Sequence, residues 1–208
     1  LAGIRAEGRV TLYINDQYID SHIGELQLAE YGISGIPVFQ LSGAAAYGLL
    51  NQKKVRCELD FFPEMKEKTL TEFLLKRKEQ FYPASIEVFE TGLLNRKLIH
   101  EAIQMCGKKD RYGYPDMKQL AYTLKHFEVT IIESRGYEFA QICAGGVSLK
   151  AIHPDSMESK NHPGLYFAGE ILDADGICGG YNLQWAWATG FLAGTHAGKE
   201  CHASHRTN

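Results

Sequence analysis

The sequence predicts a mixed fold, α+β passing into α/β, in two consecutive parts, and three observations predict it. Val10–Ile14 and Val55–Phe61 alternate apolar and polar residues, the period-two mark of half-buried strands. Between residues 69 and 126 the apolar period shifts to that of helices, with capping signals at Thr69, Asn95 and Asp116. Beyond Tyr137 glycines cluster and the chain ends in a helix rich in alanine and glycine.

Taken in order, Val10, Leu12 and Ile14 form the first strand and Asn15-Asp16 its turn. Tyr18-Ile19 and Leu26–Ala29 are weaker strand segments, and Tyr31-Gly-Ile-Ser-Gly35 reads as a loop. Pro37 suits a helix start, so Val38–Leu50 is expected to be helical around Ala44–Ala46. Val55, Cys57, Leu59 and Phe61 give another strand, closed by Pro63. Thr69-Leu-Thr-Glu72 matches a capping box for a helix to about Gln80. Asn95 caps a second helix, with Leu98, Ile99, Ala102 and Ile103 on one face; Asp116 opens a third, ending near His126. Val129–Ile132 returns to a strand. The expected boundary falls near residue 135.

In the second part, Leu165-Tyr-Phe-Ala168 is a short apolar run without alternation, the pattern of a strand covered on both faces. A helix is expected over Asn182–Ala197, with Ala186, Gly190, Ala193, Gly194 and Ala197 as a packed stripe of small residues. Lys199–Asn208 is polar and expected to fray.

Composition excludes several classes. The 208 residues carry a formal charge of −3, so no basic field invites nucleic acid or an anionic membrane. No apolar run approaches the ~20 residues that span a bilayer. Five cysteines, widely spaced and never in a CxxC, read as reduced thiols. The expected location is the cytoplasm, with a small molecule as substrate.

The chemistry-bearing order is Leu165-Tyr-Phe-Ala-Gly-Glu170, then Gly179-Gly-Tyr-Asn-Leu-Gln-Trp-Ala186. A strand ending at Gly169 lets a ligand approach the backbone, and Glu170 can accept hydrogen bonds from sugar or ribityl hydroxyls. Gly179-Gly180 leads into a helix whose first amides lack intrahelical partners, which suits a pyrophosphate or the electron-rich edge of a flavin. The bland alternative is a glycine-rich turn needed only for packing.

Together with Ala144-Gly-Gly-Val147, Met157-Glu-Ser-Lys160, Asp173, Asp175-Gly176, Tyr31–Gly35 and Leu94-Asn-Arg96, this block resembles bacterial NAD(P)/FAD-dependent flavoprotein oxidoreductases of the aminoacetone-oxidase-like kind, among which is a bile-acid-intermediate reductase. The resemblance implies that residues 1–135 are an insert domain, a small β-barrel with a helical excursion at about 64–126. Residues 136–208 would be the C-terminal strand–loop–helix part of an FAD domain of the two-dinucleotide-fold type. It places Gly169 and Glu170 by the ribityl and pyrophosphate of FAD. Gly180, Tyr181, Asn182, Leu183 and Gln184 would lie against the isoalloxazine, with Gly145, Gly146 and Val147 bordering the ring and Asp173 and Gly179 also binding the cofactor. Cys143-Ala144 and Ile177-Cys178 depart from the family's pattern. No GxGxxG occurs in the 208 residues, so the resemblance assigns the ADP-gripping turn to an N-terminal half of the same protein.

The function so implied is hydride transfer between NAD(P)H and an organic substrate through bound FAD, with this piece alone expected to be inactive, to bind FAD weakly or not at all, and to self-associate. The alternative is a structural or nucleotide-binding module. No catalytic acid or base is readable. Cys201-His202 and His205 fall short of a four-ligand zinc site, Cys178 lacks a redox partner, and Trp185 and Trp187 read as core packing ahead of stacking on a substrate. Lys108–Arg111 reads as a solvated loop, and His100 and His126 as satisfied or surface residues.

Overall fold

A computed structural model describes residues 1–204, with side chains as far as residue 199. The expectations for Cys201, His202 and His205 therefore lie outside the described side chains. The chain divides into two compact units, Leu1–Ser134 and Arg135–Asn208.

The first unit is built on five strands: β1 (Ile4–Ile14), β2 (Gln17–Ala29), β3 (Gly32–Ser34), β4 (Val55–Asp60) and β5 (Phe127–Ile131). All pair antiparallel in the order β3-β2-β1-β4-β5. The first helix, α1 (Ile36–Leu50), touches β1 to β4, so the sheet curls around it. Alternation sets the faces: Val10, Leu12, Leu26, Cys57 and Leu59 point into a core shared with Leu41 of α1. Asn15 and Asp16 both take positive φ at the β1–β2 turn, which asparagine and aspartate tolerate best among residues with a Cβ.

Two expectations change here. The weak segments at 18–19 and 26–29 are one continuous strand, because β1 offers partners from Ile4 to Ile14. The expected loop at 31–35 holds the edge strand β3, paired with Gln27–Ala29. Gly35 lets the chain pass close to β2: a Cβ there would lie 2.3 Å from the Glu25 carbonyl, and Gly35 has φ 107°.

Between β4 and β5 lie α2 (Glu67–Phe81), α3 (Ile86–Glu90), α4 (Arg96–Met105) and α5 (Met117–Lys125), around a second core of Leu70, Leu74, Phe89, Ile99, Ile103 and Leu120. Asn95 caps α4 by accepting from Lys97 N, and Asp116 caps α5 by accepting from Lys118 N and Gln119 N. The Thr69–Glu72 capping box does not form. α2 starts earlier, with extended Lys66 at its N-cap and Leu70 N bonded to Lys66 O, so Thr69 lies inside the helix. Helix α3 carried no periodic signal long enough to announce it.

The two cores meet at Phe62 and Leu94, which pack against both. The junction is tied by Lys125, whose Nζ donates to Asp60 Oδ2 (2.7 Å), Phe62 O (2.9 Å) and Met65 O (2.7 Å). Next to it His126 contacts Glu58 Oε1 at 3.1 Å and Glu67 Oε2 at 3.6 Å, and its ring stacks on Tyr122.

The second unit has a long helix, α6 (Tyr181–Ser204), over short 3-10 turns at Tyr137–Phe139, Leu149–Ala151 and Gly169–Ile171. Its small core joins Ile152, Met157, Leu172 and Ala193. The expected buried strand at Leu165–Ala168 is not formed. Ser159 N bonds Leu165 O and Phe167 N bonds Met157 O, giving one bridge between Glu158 and Tyr166. The pairing stops there because Gly169 turns to φ 76° and its N–H goes to a side chain of α6. Leu165 is exposed. The small-residue stripe also differs: Ala193 is buried, but Gly190 and Gly194 face solvent within this unit. Among the described residues no helix is long and apolar enough to cross a membrane.

Candidate functional site

The sequence-predicted residues of the second unit gather on three segments that the backbone ties together. Val147 N donates to Ile171 O (2.8 Å) and Asp173 N to Val147 O (3.0 Å), a parallel bridge that lays Gly145–Val147 beside 171–173. This approach depends on Gly146. Its φ is 145°, and a Cβ there would lie 2.4 Å from the Ile171 carbonyl. Gly145, with φ 98°, has open space where a Cβ would stand.

Segment 169–173 is tied to α6 from its other side. Gly169 N donates to Thr189 Oγ1 at 2.9 Å, and Trp185 Nε1 donates to Gly169 O at 3.3 Å. Glu170 is exposed, and its Oε1 accepts from the Cys143 amide at 3.2 Å. Among the described residues its Oε2 accepts no hydrogen bond. Asp173 is exposed beside it in sequence.

The start of α6 completes the arrangement. Gly179 and Gly180 both take positive φ, 124° and 95°, and nothing lies within 4 Å of a Cβ built on Gly180. The first bond of the helix ladder is Gln184 N to Gly180 O, so the amides of Tyr181, Asn182 and Leu183 precede it and point along the helix start. Tyr181 and Leu183 are exposed. The side chain of Asn182 has other work. Its Oδ1 accepts from Gly176 N (2.7 Å) and its Nδ2 donates to Gly176 O (3.0 Å), pinning the loop before the double glycine. Only its backbone N–H is left to face a ligand.

The donor set fits a flavin nucleotide. Three unladdered amides at the positive end of a 24-residue helix favour negative charge. Gly145 and Gly180 leave flat, side-chain-free backbone where a planar ring could lie, and Glu170 keeps an acceptor for a hydroxyl. Sequence reasoning singled out these positions but missed Thr189 and the Cys143 amide, and it weighed Trp185 as packing or a stacking surface, not as a hydrogen-bond donor. Asn182, Trp185 and Thr189 recur at three- and four-residue intervals, which puts them on one helix face but does not name their partners.

Elsewhere the candidates are weaker. Among the described residues no group of three or more His, Cys, Asp or Glu could hold a metal. An open cavity of about 460 Å³ in the first unit is lined by Arg9, Thr11, Glu58, Asp60, Lys125 and His126, but Glu58 and Asp60 are already engaged by His126 and Lys125. Cys57 is buried, which pushes its thiol up to about 11, and burial likewise raises Cys106, so neither offers a ready thiolate.

Comparison with known proteins gives the chain its family. Residues 1–142 match the HI0933-like protein barrel and H2TH domain, and residues 117–196 match the HI0933-like protein Rossmann domain. The chain is 39% identical over 201 residues to a 3-dehydro-bile acid delta(4,6)-reductase of Clostridium scindens, covering 94% of this chain and 49% of that protein. It is 31% identical over 175 residues to a ribosomal RNA dihydrouridine synthase of Haemophilus influenzae, covering 82% and 41%. With the Escherichia coli protein of the same name it is 40% identical over 74 residues, 36% of this chain and 18% of that one. The chain spans about half the length, or less, of these curated relatives. Since one family domain covers most of its length and the second covers its glycine-rich end, the chain belongs to the HI0933-like protein family.

Proposed function

We propose that this chain is part of an FAD-dependent oxidoreductase that adds hydrogen across a carbon–carbon double bond conjugated to a carbonyl. The observation that carries the reading is the α6 start, with its glycine approach and unladdered amides at 181–183, in the unit where Gly145–Val147 lies beside 171–173 and Glu170 keeps a free acceptor. The relatives' names supply the reaction class. A delta(4,6)-reductase acting on a 3-dehydro bile acid and a dihydrouridine synthase both saturate ring double bonds conjugated to a carbonyl.

Bound FAD would supply the hydride transfer. The residues of this chain would hold and tune it. The amides of Tyr181–Leu183 would face the electron-rich edge of the ring, a fixed positive field that favours the reduced form. Gly179 and Gly180 keep side chains out of that contact. Glu170 would accept from a ribityl hydroxyl, with Asp173 near the pyrophosphate, and Gly145, Gly146 and Val147 would border the ring. In the balanced reaction, NAD(P)H is oxidised to NAD(P)⁺, a hydride reaches the β-carbon of the unsaturated carbonyl, and a proton joins the α-carbon. The GxGxxG half that would grip the ADP belongs, in this reading, to the same whole protein, and its substrate is a small molecule met in the cytoplasm.

The test is direct. The whole protein should purify yellow with a flavin spectrum, and it should oxidise NADH or NADPH only when an unsaturated ketone is supplied. A colourless preparation that gains no flavin on incubation with FAD would refute the reading.

A further inference from the structure

We infer that Thr189 and Trp185 are positioning residues of the flavin site, fixing the Gly169–Glu170 peptide against α6. The inference rests on the proposed FAD reading of that site. Its observation is separate: both backbone groups of one buried glycine are held by side chains of one helix. Gly169 N donates to Thr189 Oγ1 (2.9 Å), and Gly169 O accepts from Trp185 Nε1 (3.3 Å).

The hydroxyl geometry leaves little freedom. Thr189 is 2% exposed, and its Oγ accepts from Gly169, so its single proton goes to Trp185 O at 2.7 Å, the nearer of two carbonyls. Donor and acceptor are both used, and the side chain has one orientation. Trp185 and Thr189 are four residues apart and so share a face. Asn182, one turn before, grips Gly176 in the same bidentate way, N–H and C=O together. Three side chains on one helix face thus hold two glycines of the loops that carry the site.

A helix that needed only to pack would place apolar side chains here, because burying a hydroxyl and an indole N–H returns little net stability. What this arrangement yields is position. Gly169 is held at φ 76° with its would-be Cβ 3.7 Å from Ala186, so the peptide lies flat on the helix. Glu170 follows directly, with Oε1 on the Cys143 amide. The acid and the α6 amides are therefore set by one rigid element, which fixes the spacing between the group facing the ribityl chain and the group facing the ring.

The experiment uses the flavin-loaded whole protein and three variants: Thr189→Val, Thr189→Ser and Trp185→Phe. Circular dichroism establishes folding, FAD titration gives affinity, and the flavin absorption band and midpoint potential report the ring's surroundings. Thr189→Val, nearly the same shape without the hydroxyl, is expected to weaken FAD binding roughly tenfold through the orphaned Gly169 N–H and to shift band and potential. Thr189→Ser should bind within about twofold of wild type and restore both signals, since it keeps the hydroxyl. A folded Thr189→Val protein with wild-type affinity, band and potential overturns the inference, as does Thr189→Ser behaving like Thr189→Val. Should Thr189→Val fail to fold, Trp185→Phe decides: a few-fold weaker binding with a shifted band supports the role, and unchanged values overturn it. Failure of the wild-type protein to bind FAD overturns the functional reading itself, a distinct result.

Discussion

Replacing Lys125 with methionine removes the charge that joins sheet to helices and keeps the aliphatic stem. The Lys125 and Asp60 side chains are each 12% exposed, and the ammonium donates to one carboxylate oxygen and two backbone carbonyls. In the variant Asp60 keeps its Oδ1 bond from Phe62 N, but Oδ2 loses its partner and both carbonyls lose this donor. Removing one member of a buried pair costs ~3–5 kcal/mol, and the remaining exposure favours the lower end, ~3 kcal/mol. For a unit of this size each kcal/mol shifts the midpoint by roughly 3–5 °C, so Lys125→Met should melt roughly 9–15 °C lower. Far-ultraviolet circular dichroism follows the helices of the first unit; tryptophan fluorescence would miss them, because Trp185 and Trp187 both lie in the second. The double variant Lys125→Met/Asp60→Asn should recover about 1 kcal/mol, since the stranded charge is gone. A urea midpoint for Lys125→Met within ~1 kcal/mol of wild type would falsify the assignment of Lys125 as the junction's tie.

Gly35→Ala should destabilise the first unit by roughly 2–4 kcal/mol, because φ 107° and a Cβ 2.3 Å from the Glu25 carbonyl cannot both be accommodated; a thermal melt matching wild type would refute this. Gly180→Val should abolish FAD retention while the first unit stays folded, with strain at φ 95° and a branched side chain in open space at the ring contact; full flavin occupancy in the purified variant would count against the site. Cys57, raised from 9.0 to about 11 by burial, holds its proton longer when folded than unfolded, so its share of stability is complete below pH 9 and is lost as pH rises toward 11. Cys57→Ala should flatten that alkaline slope in urea titrations at stepped pH; an identical slope in both proteins would place its cause elsewhere.

Much of the first unit was legible because its signals are local. Asn95 and Asp116 each sit one residue before a helix and bond the amides that capping demands. Thr69–Glu72 carries an equally good local pattern and fails, because the turn that starts at Lys66 engages Leu70 first. Leu165–Ala168 misled for a different reason. An apolar run shows that burial is wanted, but a strand also needs a neighbouring backbone, and here one bridge to Glu158 is what the unit provides. In the site, glycines could be read from sequence because they report what a Cβ would obstruct. The roles of Asn182 and Thr189 could not, since each bonds a loop glycine 6 or 20 residues away whose position only the fold reveals.

The antiparallel pairing of β4 with β5, from Leu59–Phe127 to Val55–Ile131, has the register of a hairpin, and the whole helical excursion occupies the place of its connecting loop. Lys125 closes that loop at its neck, holding Asp60, Phe62 and Met65 where the chain leaves the sheet to the residue where it returns. The helices therefore hang from a fixed stem. Insertions or losses beyond Met65 and before Met117 leave the two strand ends meeting at the same point, so evolution can resize or remodel the excursion without resetting the register of the sheet. The toll falls on Leu94 and Leu98, whose side chains reach back from the excursion into the sheet core and would have to be kept or replaced in kind.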